Sequence, residues 1–272
     1  MEGVEPVMIV ASAAQERYLK KRRREHSLVW LFRILILVIF LGLWEVSTRA
    51  GWMDSFIFSS PSKVVATFAD MWKYNSLYVH IGVTLFETLV SFFLVIVISI
   101  SVAVLLWACP QVSNVLEPYL VVLNSLPKSA LAPLLIVWLG TSVKTIIVAG
   151  ISVAIFGSVI NLYTSFKETS PDKIKLIYTL HGNRFQALTK VVLPSSIPQI
   201  LANMKVNIGL CLVGVIIGEF IGSRQGLGYL IIYGTQTFKL DWVIMSIIVL
   251  CLLAMILYAV LNRVEKWYLK KI

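Results

Sequence analysis

The ionisable side chains inside long apolar runs are the residues that could do chemistry in this sequence. Lys128 interrupts one apolar run, while Glu87 and Glu219 lie within two others. A charged side chain at a bilayer centre costs about 3 kcal/mol on insertion scales, and such residues commonly face a solute pathway, a partner or an interface. For Lys128 two further interpretations stay open, because a lysine can also snorkel to the membrane surface or cap a backbone carbonyl group.

The sequence contains no motif that predicts catalysis. A phosphate-binding loop of the form G-x-x-x-x-G-K-[ST] is absent. His26, His80 and His181 are scattered along the chain, so neither a zinc site nor a catalytic triad is predicted. The three cysteines have spacings that indicate neither a disulfide framework nor a metal site. We therefore expect no catalytic residues, no metal ligands and no cofactor in this chain.

The composition predicts a polytopic membrane protein of the all-α class. The 272 residues are 58% hydrophobic and 14% charged, whereas soluble domains are nearer a quarter charged. The mean hydropathy is +0.85. A membrane-spanning helix needs about 20 apolar residues. Six segments meet this requirement and predict six transmembrane helices: 28–46, 83–107, 115–139, 143–163, 199–222 and 241–261.

The distribution of Lys and Arg predicts how these helices are oriented. With the N-terminus inside, the inner segments hold 15 basic residues and the outer segments hold six. Because inner loops carry the excess of positive charge, both termini and the loop 166–198 are predicted to be cytoplasmic. The net charge of +10 is then explained mainly by topology, and we expect no nucleic-acid partner.

The polar segment 170–198 is predicted to form two short helices that stand outside the bilayer. Ser170 is a favourable N-cap, and Gly182 is expected to end the first helix in a left-handed conformation. Asn183 then caps a second helix that closes at residues 193–194. The apolar face of the first helix is predicted to carry Ile174, Ile177, Tyr178 and His181. A helix pair with an apolar face favours docking of a soluble partner.

The third predicted span is interrupted at its centre. Residues 118–126 and 130–139 are apolar, but neither piece is long enough to cross a bilayer. Interrupted spans are tolerated where they line a cavity or are covered by protein. The predicted pathway residues are Pro127, Lys128, Ser129 and Glu219.

Glycines at four-residue spacing distinguish the fifth predicted span. Gly214, Gly218 and Gly222 form this series. Small residues at such spacing let helix backbones approach closely in membranes. We predict that the three glycines serve helix packing rather than contact with a solute.

The predicted organisation has four parts. Residues 1–27 form a cytoplasmic basic tail, and residues 28–79 contain the first transmembrane helix and an external amphipathic segment. Residues 80–264 form the main transmembrane domain with the cytoplasmic loop 166–198. Residues 265–272 form a second cytoplasmic tail.

Three stretches resemble the permease subunits of binding-protein-dependent ABC importers of the nitrate/sulfonate/taurine type. They are NSLPKSALAPLLIVWLG at 124–140, TLHGNRFQALTKVVLPSSIP at 179–198 and GEFIGSRQGLGYLI at 218–231. They occur in the order and topology of that family. The sequence departs from the family at its Glu-Ala-Ala signature, where it has Lys175-Leu176-Ile177, and at the signature glycine, where it has His181.

The resemblance implies the type I ABC importer permease fold and a non-catalytic transport subunit in the membrane of a prokaryotic cell. The implied partners are a second permease copy, an extracytoplasmic substrate-binding protein and a cytoplasmic ATPase dimer that binds ATP and Mg. The loop 166–198, called the coupling loop below, is implied to contact the ATPase. Its implied contact residues are Lys175, Tyr178, Thr179, Leu180, His181, Gly182, Asn183, Arg184 and Phe185.

The solute and two other functions stay open at this point. The resemblance favours import of a sulfonate, taurine, nitrate or similar small solute, but related permeases carry neutral heterocyclic vitamin precursors. A stand-alone secondary carrier is the second class of function, although we find neither convincing inverted repeats nor several paired membrane charges. A membrane scaffold that anchors a soluble protein is the third.

Overall fold

The computed structural model describes residues 13–74 and 76–270, and the regular secondary structure of that part is entirely helical. The predicted tails, residues 1–27 and 265–272, lie partly outside the described residues. The chain divides into two units, Met1–Lys63 and Val64–Ile272. The boundaries predicted for the four parts of the chain stay predictions.

The first unit contains a long helix and a short one. Helix α1 (Ala13–Arg49) includes the candidate span Leu28–Arg49, and α2 (Ser55–Phe58) follows it. The carboxylate of Glu45 accepts hydrogen bonds from the backbone N–H of Ser62 at 3.1 Å and from its hydroxyl at 2.9 Å. This contact lies within the first unit, which ends in the first turn of α3 (Pro61–Lys73).

The second unit carries the remaining candidate spans. Its helices are α4 (Leu77–Ala108), α5 (Pro110–Ser125), α6 (Lys128–Leu139), α7 (Val143–Lys167), α8 (Pro171–Thr179), α9 (Arg184–Ala187), α10 (Leu193–Gly222), α11 (Leu227–Gln236) and α12 (Leu240–Leu269). In the described residues five helices are long and apolar enough to cross a membrane, and the number is six if α5 and α6 count as one span. This count agrees with the sequence prediction only in that second case.

The bend between α5 and α6 confirms the predicted interruption of the third span. The two helices meet at an angle of 96°. Leu126, which precedes Pro127, has the extended dihedrals φ −63° and ψ 139°. A proline ring disfavours the helical conformation of the residue before it, so the chain turns at this position.

The predicted closure of the second loop helix at residues 193–194 is wrong. A helical path runs without a break from Arg184 to Gly222, and it includes a π-helical turn at Leu188–Val192. In that turn the backbone N–H of Leu193 bonds to the carbonyl of Leu188, five residues earlier. The wider turn leaves room before the ring of Pro194, which would otherwise clash with the preceding turn of a regular α-helix.

Helix α7 packs against both α4 and α10 and forms the centre of the second unit. Buried side chains from the three helices form one cluster that contains Phe92, Val95, Ala154, Ile208 and Cys211. A second cluster lies where the coupling loop joins the spans, and it contains Ala103, Leu162, Phe166, Leu188 and Val192. The coupling loop is thus supported by the same core that holds the spans together.

An ion pair also joins two of these spans. Lys205 in α10 donates a 2.6 Å hydrogen bond to the carboxylate of Glu265 in α12, and both side chains are largely buried. The apolar surroundings make the pairing favourable, since either charge alone would be costly there.

Candidate functional site

The first helix of the coupling loop has apolar residues on both of its sides. Ile174 packs against the second core cluster, and Ile177 is half-buried. Leu176, Tyr178 and Leu180 are 58%, 46% and 69% exposed. The predicted apolar face was therefore partly wrong, because Ile174 holds the helix onto the protein. Sequence reasoning missed Leu176 as an exposed apolar residue.

Phe185 in α9 is a further exposed apolar side chain, with 70% of it accessible. We call the four side chains Leu176, Tyr178, Leu180 and Phe185 the apolar patch. Lys175 is exposed, and its backbone carbonyl accepts a 3.0 Å hydrogen bond from the hydroxyl of Thr179. The patch and its basic neighbour are available for contact with another protein.

The connection between α8 and α9 is a Schellman motif. The N–H of Gly182 donates to the carbonyl of Ile177 at 2.8 Å, and the N–H of His181 donates to that of Tyr178 at 3.0 Å. His181 has a φ of 58°, so it occupies the left-handed position that the sequence analysis assigned to Gly182. Gly182 is needed for a different reason, because a Cβ there would lie 2.7 Å from the carbonyl oxygen of Ile177.

His181→Gly is expected to stabilise the coupling loop. A histidine in the left-handed conformation is strained by about 1 kcal/mol, and glycine relieves this strain. Hydrogen exchange of the α8 amide groups should slow by about fivefold, the factor that corresponds to this free energy. In the matched control Thr179→Gly, which lies in the helical last turn, exchange should become faster. Unchanged exchange in His181→Gly would show that the turn carries no such strain.

The caps of the two loop helices differ from each other. Asn183 forms a capping box with Gln186, whose backbone N–H donates to Asn183 Oδ1 at 2.8 Å and whose Oε1 accepts from the Asn183 N–H at 2.9 Å. The prediction that Asn183 caps the second helix is confirmed. Ser170 occupies the N-cap position of α8, but its hydroxyl makes no capping hydrogen bond. The predicted hydroxyl cap is therefore wrong.

Arg184 makes its contacts within the chain. Its Nη2 donates to the backbone carbonyl of Trp107 at 2.9 Å, and its guanidinium carbon lies 5.4 Å from the centre of the Trp107 ring. Trp107 lies in the last turn of α4. The implied role of Arg184 as an ATPase contact stays a prediction, but the structure adds a structural role that the sequence did not indicate.

Glu219 is the centre of a buried hydrogen-bond network near the C-terminal end of α10. Only 1% of it is exposed. Its Oε1 accepts from the hydroxyl of Thr84 at 2.6 Å, and its Oε2 accepts from the N–H of Gly228 at 2.6 Å. The same Thr84 hydroxyl oxygen accepts from the N–H of Leu227 at 2.8 Å. We call Glu219, Thr84 and these two N–H groups the glutamate clasp.

The clasp explains the glycines that follow Glu219. Gly226, Leu227 and Gly228 form the N-terminal end of α11, where free N–H groups and the helix dipole favour a negative charge. A Cβ on Gly226 would overlap the Glu219 carboxyl group, and one on Gly228 would lie 2.8 Å from Glu219 Oε2. The acid and the two glycines are thus parts of one structure. A pathway role for Glu219 stays a prediction.

Glu87 lies beside the clasp. It is fully buried, and among the described residues neither of its carboxyl oxygens has a hydrogen-bond partner of good geometry. The carboxyl group of Glu219 is its electrostatic neighbour. Glu87 also lines a cavity of about 560 Å³ together with Ser142 and Arg224. The cavity has the volume and mixed polarity of a small-solute site.

The residues at the interrupted span are more open. Pro127 and Ser129 are exposed and Lys128 is half-buried. The ammonium group of Lys128 donates to the backbone carbonyl of Asn124 in the last turn of α5. This contact agrees with the interpretation in which Lys128 caps a backbone carbonyl group. It does not test the predicted pathway role of Pro127, Lys128 and Ser129.

The glycine series of α10 faces α7 and α6. A Cβ on Gly214 would lie 2.8 Å from both the carbonyl oxygen of Ala149 and the Cα of Gly150. A Cβ on Gly218 would lie 3.1 Å from the Cα of Ile146, and one on Gly222 would lie 3.1 Å from the Cδ1 of Ile136. The backbones of α7 and α10 are therefore in direct contact around Gly214.

No group of three or more His, Cys, Asp or Glu side chains that could hold a metal ion occurs in residues 13–74 and 76–270. Two separate regions of the second unit are candidate functional sites. One is the coupling loop with the apolar patch, and the other is the glutamate clasp with the adjoining cavity.

Comparison with known proteins places the chain among transport proteins. A family described as the inner membrane component of binding-protein-dependent transport systems matches residues 96–272. A probable ABC transporter permease of Haemophilus influenzae is 28% identical over 83% of this chain and 91% of its own length. The formylaminopyrimidine transport permease ThiX of Halalkalibacterium halodurans is 26% identical over 86% and 92%. The putative aliphatic sulfonates transport permease SsuC of Bacillus subtilis is 23% identical over 89% and 87%.

The fold is also similar to that of a solved transporter structure. An inward-facing MetNI methionine ABC transporter has a chain that superposes with a TM-score of 0.63 and 20% identity, over 70% of this chain and 94% of that one. At this identity the similarity concerns the fold alone. It supports a type I importer permease architecture for the second unit.

Proposed function

The chain belongs to the family of inner membrane components of binding-protein-dependent transport systems, and on that premise we propose that it is the permease of an ATP-driven importer that moves a small solute into the cytoplasm. The family and the named relatives indicate a transport subunit rather than a catalytic enzyme. In the proposed arrangement six helices span a prokaryotic cell membrane and both termini are cytoplasmic.

The partners follow from the same premise. Two copies of this chain form the pathway, a cytoplasmic ATPase dimer supplies the ATP and Mg sites, and an extracytoplasmic binding protein delivers the solute. The single observation that carries the ATPase assignment is the apolar patch. Four large apolar side chains of the coupling loop are exposed, and in the proposed topology this loop lies in the cytoplasm, where lipid does not cover them.

The coupling loop is built to move as a rigid body. Its inner face packs through Ile174 against the second core cluster, and its two helices are joined by the Schellman motif and the Asn183 capping box. We expect the ATPase to bind the patch and to change its conformation when it binds ATP. This change would move the whole loop, and the movement of the loop would open and close the pathway. Lys175, which stands where the family has an acid, favours an acidic partner surface.

For the solute we propose a sulfonate, taurine, nitrate or a similar small solute. The relative SsuC is named for aliphatic sulfonates. A neutral heterocyclic vitamin precursor is the second candidate, since the relative ThiX is named for formylaminopyrimidine. The cavity beside the clasp is lined by Arg224 and by hydroxyl groups, which suit an anion, and by the carboxyl group of Glu87, which suits a neutral solute with hydrogen-bond donors.

The first test is capture of the ATPase encoded beside this gene by the detergent-solubilised chain. Replacing residues 175–186 by a Gly/Ser linker should abolish capture. The sharper variant is Leu176→Ser with Leu180→Ser and Phe185→Ser, which leaves the caps and the core contacts intact. Because a few buried apolar side chains commonly dominate an interface, capture should fall by about tenfold or more.

The control for this experiment is Thr189→Ala with Lys190→Ala, two exposed residues of the same loop outside the patch. It should capture the ATPase as well as the parent chain does. If the triple serine variant still captures the ATPase, the apolar patch is not the docking site. Absence of capture by the intact chain would favour a stand-alone carrier.

A further inference from the structure

The contact between Arg184 and Trp107 links the coupling loop to one particular span. Trp107 lies in the last turn of α4, where backbone carbonyl groups have no donor within the helix. Arg184 supplies that donor at 2.9 Å and places its positive charge at the negative end of the helix dipole. Its guanidinium group also lies over the Trp107 ring. The Arg184 side chain therefore binds the C-terminal end of α4 through both a hydrogen bond and a cation–π contact.

Arg184 is also held firmly to the coupling loop. It is the first residue of α9, directly after the Asn183 capping box and two residues after the Schellman turn. On the other side of the contact, Trp107 packs against the second core cluster, which includes Phe166 and Leu188. A displacement of the coupling loop is therefore transmitted to the end of α4 through this contact, in addition to the apolar packing of the second core cluster.

Helix α4 carries contacts of a similar kind near its other end. The hydroxyl of Thr84 bonds to Glu219 and accepts from the N–H of Leu227, and His80 Nδ1 accepts from the N–H of Gly226 at 3.0 Å. Thr84 and Trp107 are 23 positions apart, which corresponds to about 35 Å of helix. This stretch contains neither proline nor glycine, the usual causes of a kink.

We propose that Arg184 is a positioning residue that ties the coupling loop to α4, and that α4 transmits the movement of the loop to the glutamate clasp. The proposal rests on the proposed function, because it presupposes that an ATPase moves the loop. It assigns Arg184, which is exposed, a contact within the chain rather than one with the ATPase. A single rigid element then connects the ATPase dock with the glycine turn at residues 223–226.

The test follows the glycine turn directly and needs no knowledge of the solute. The parent for labelling carries Gln225→Cys, an exposed position of the turn, with Cys109→Ala and Cys251→Ala. The remaining Cys211 is fully buried and does not react. The chain is reconstituted in proteoliposomes with the ATPase encoded beside its gene. A membrane-impermeant maleimide is then applied without nucleotide and after trapping with ATP and vanadate.

In the parent, the labelling rate should differ between the two states by about fivefold or more, as expected for a coupling free energy above 1 kcal/mol. Arg184→Ala should capture the ATPase and hydrolyse ATP as the parent does, but its labelling rate should respond much less to nucleotide, because only the apolar packing of the second core cluster then links the loop to α4. Arg184→Lys keeps a donor and a charge, so its response should be intermediate. The control Lys190→Ala, an exposed residue of the same loop, should respond like the parent.

Loss of ATPase capture in Arg184→Ala would overturn the proposal, because Arg184 would then be a docking contact. A full labelling response in Arg184→Ala, or a parent that captures the ATPase but never responds, would overturn it as well. If Arg184→Ala does not fold, a reduced response of Arg184→Lys at unchanged capture still supports the proposal, and an equal response overturns it. Failure of the proposed function would give a different result, because the parent itself would then not capture the ATPase.

Discussion

Glu219→Ala is expected to lower the free energy of unfolding of this protein by about 2–6 kcal/mol, because it leaves two buried donors without an acceptor. The substitution leaves the N–H of Gly228 and the hydroxyl of Thr84 without their acceptor. Each buried donor left unpaired costs about 1–3 kcal/mol. The measurement is unfolding of the purified chain by denaturing detergent in mixed micelles.

Glu168→Ala is the control for this experiment, because it removes an exposed carboxylate from the end of α7 and should change stability by less than about 0.5 kcal/mol. Glu219→Gln keeps one acceptor oxygen but places an amide N–H₂ among donors, so an intermediate loss is expected. If Glu219→Ala unfolds like the parent chain but no longer supports transport, the clasp is not structural and the pathway role is favoured.

The local features of this fold could be predicted from the sequence. The apolar runs predict the spans, and the Leu126-Pro127 pair predicts the break between α5 and α6, because each signal depends only on neighbouring residues. The Asn183 cap is local in the same sense. The failures are also informative, since Leu193-Pro194 is a strong stop signal that the preceding π-helical turn overrides.

The site depends on contacts between residues that are far apart in the sequence. Arg184 meets Trp107 across 77 positions, and Thr84 meets Glu219 across 135. Nothing in the residues around Glu219 shows that its partner is a threonine in α4. The resemblance of residues 218–231 to a family motif indicated that the acid and the glycines belong together, but only the structure shows why.

Gly214→Val is expected to force α7 and α10 apart and to lower the free energy of unfolding by about 3 kcal/mol or more, at the upper end of the cost of overpacking. The reason is the position of the missing side chain. A Cβ on Gly214 would lie 2.8 Å from the Ala149 carbonyl oxygen and the Gly150 Cα. Both atoms belong to the backbone, so a change of rotamer cannot relieve the overlap.

Gly209→Val tests the same substitution in the same helix without the contact, since no atom outside its own helix backbone lies within 4 Å of a Cβ at this position. Valine has a better helix propensity than glycine, so this variant should be as stable as the parent chain or slightly more stable. Unfolding in mixed micelles should therefore separate the two variants clearly. Equal stability would mean that the helices can separate at little cost, and that close backbone approach at Gly214 does not hold α7 against α10. With the expected difference, the glycine contact fixes the position of α10 and thereby the place of Glu219 in the clasp.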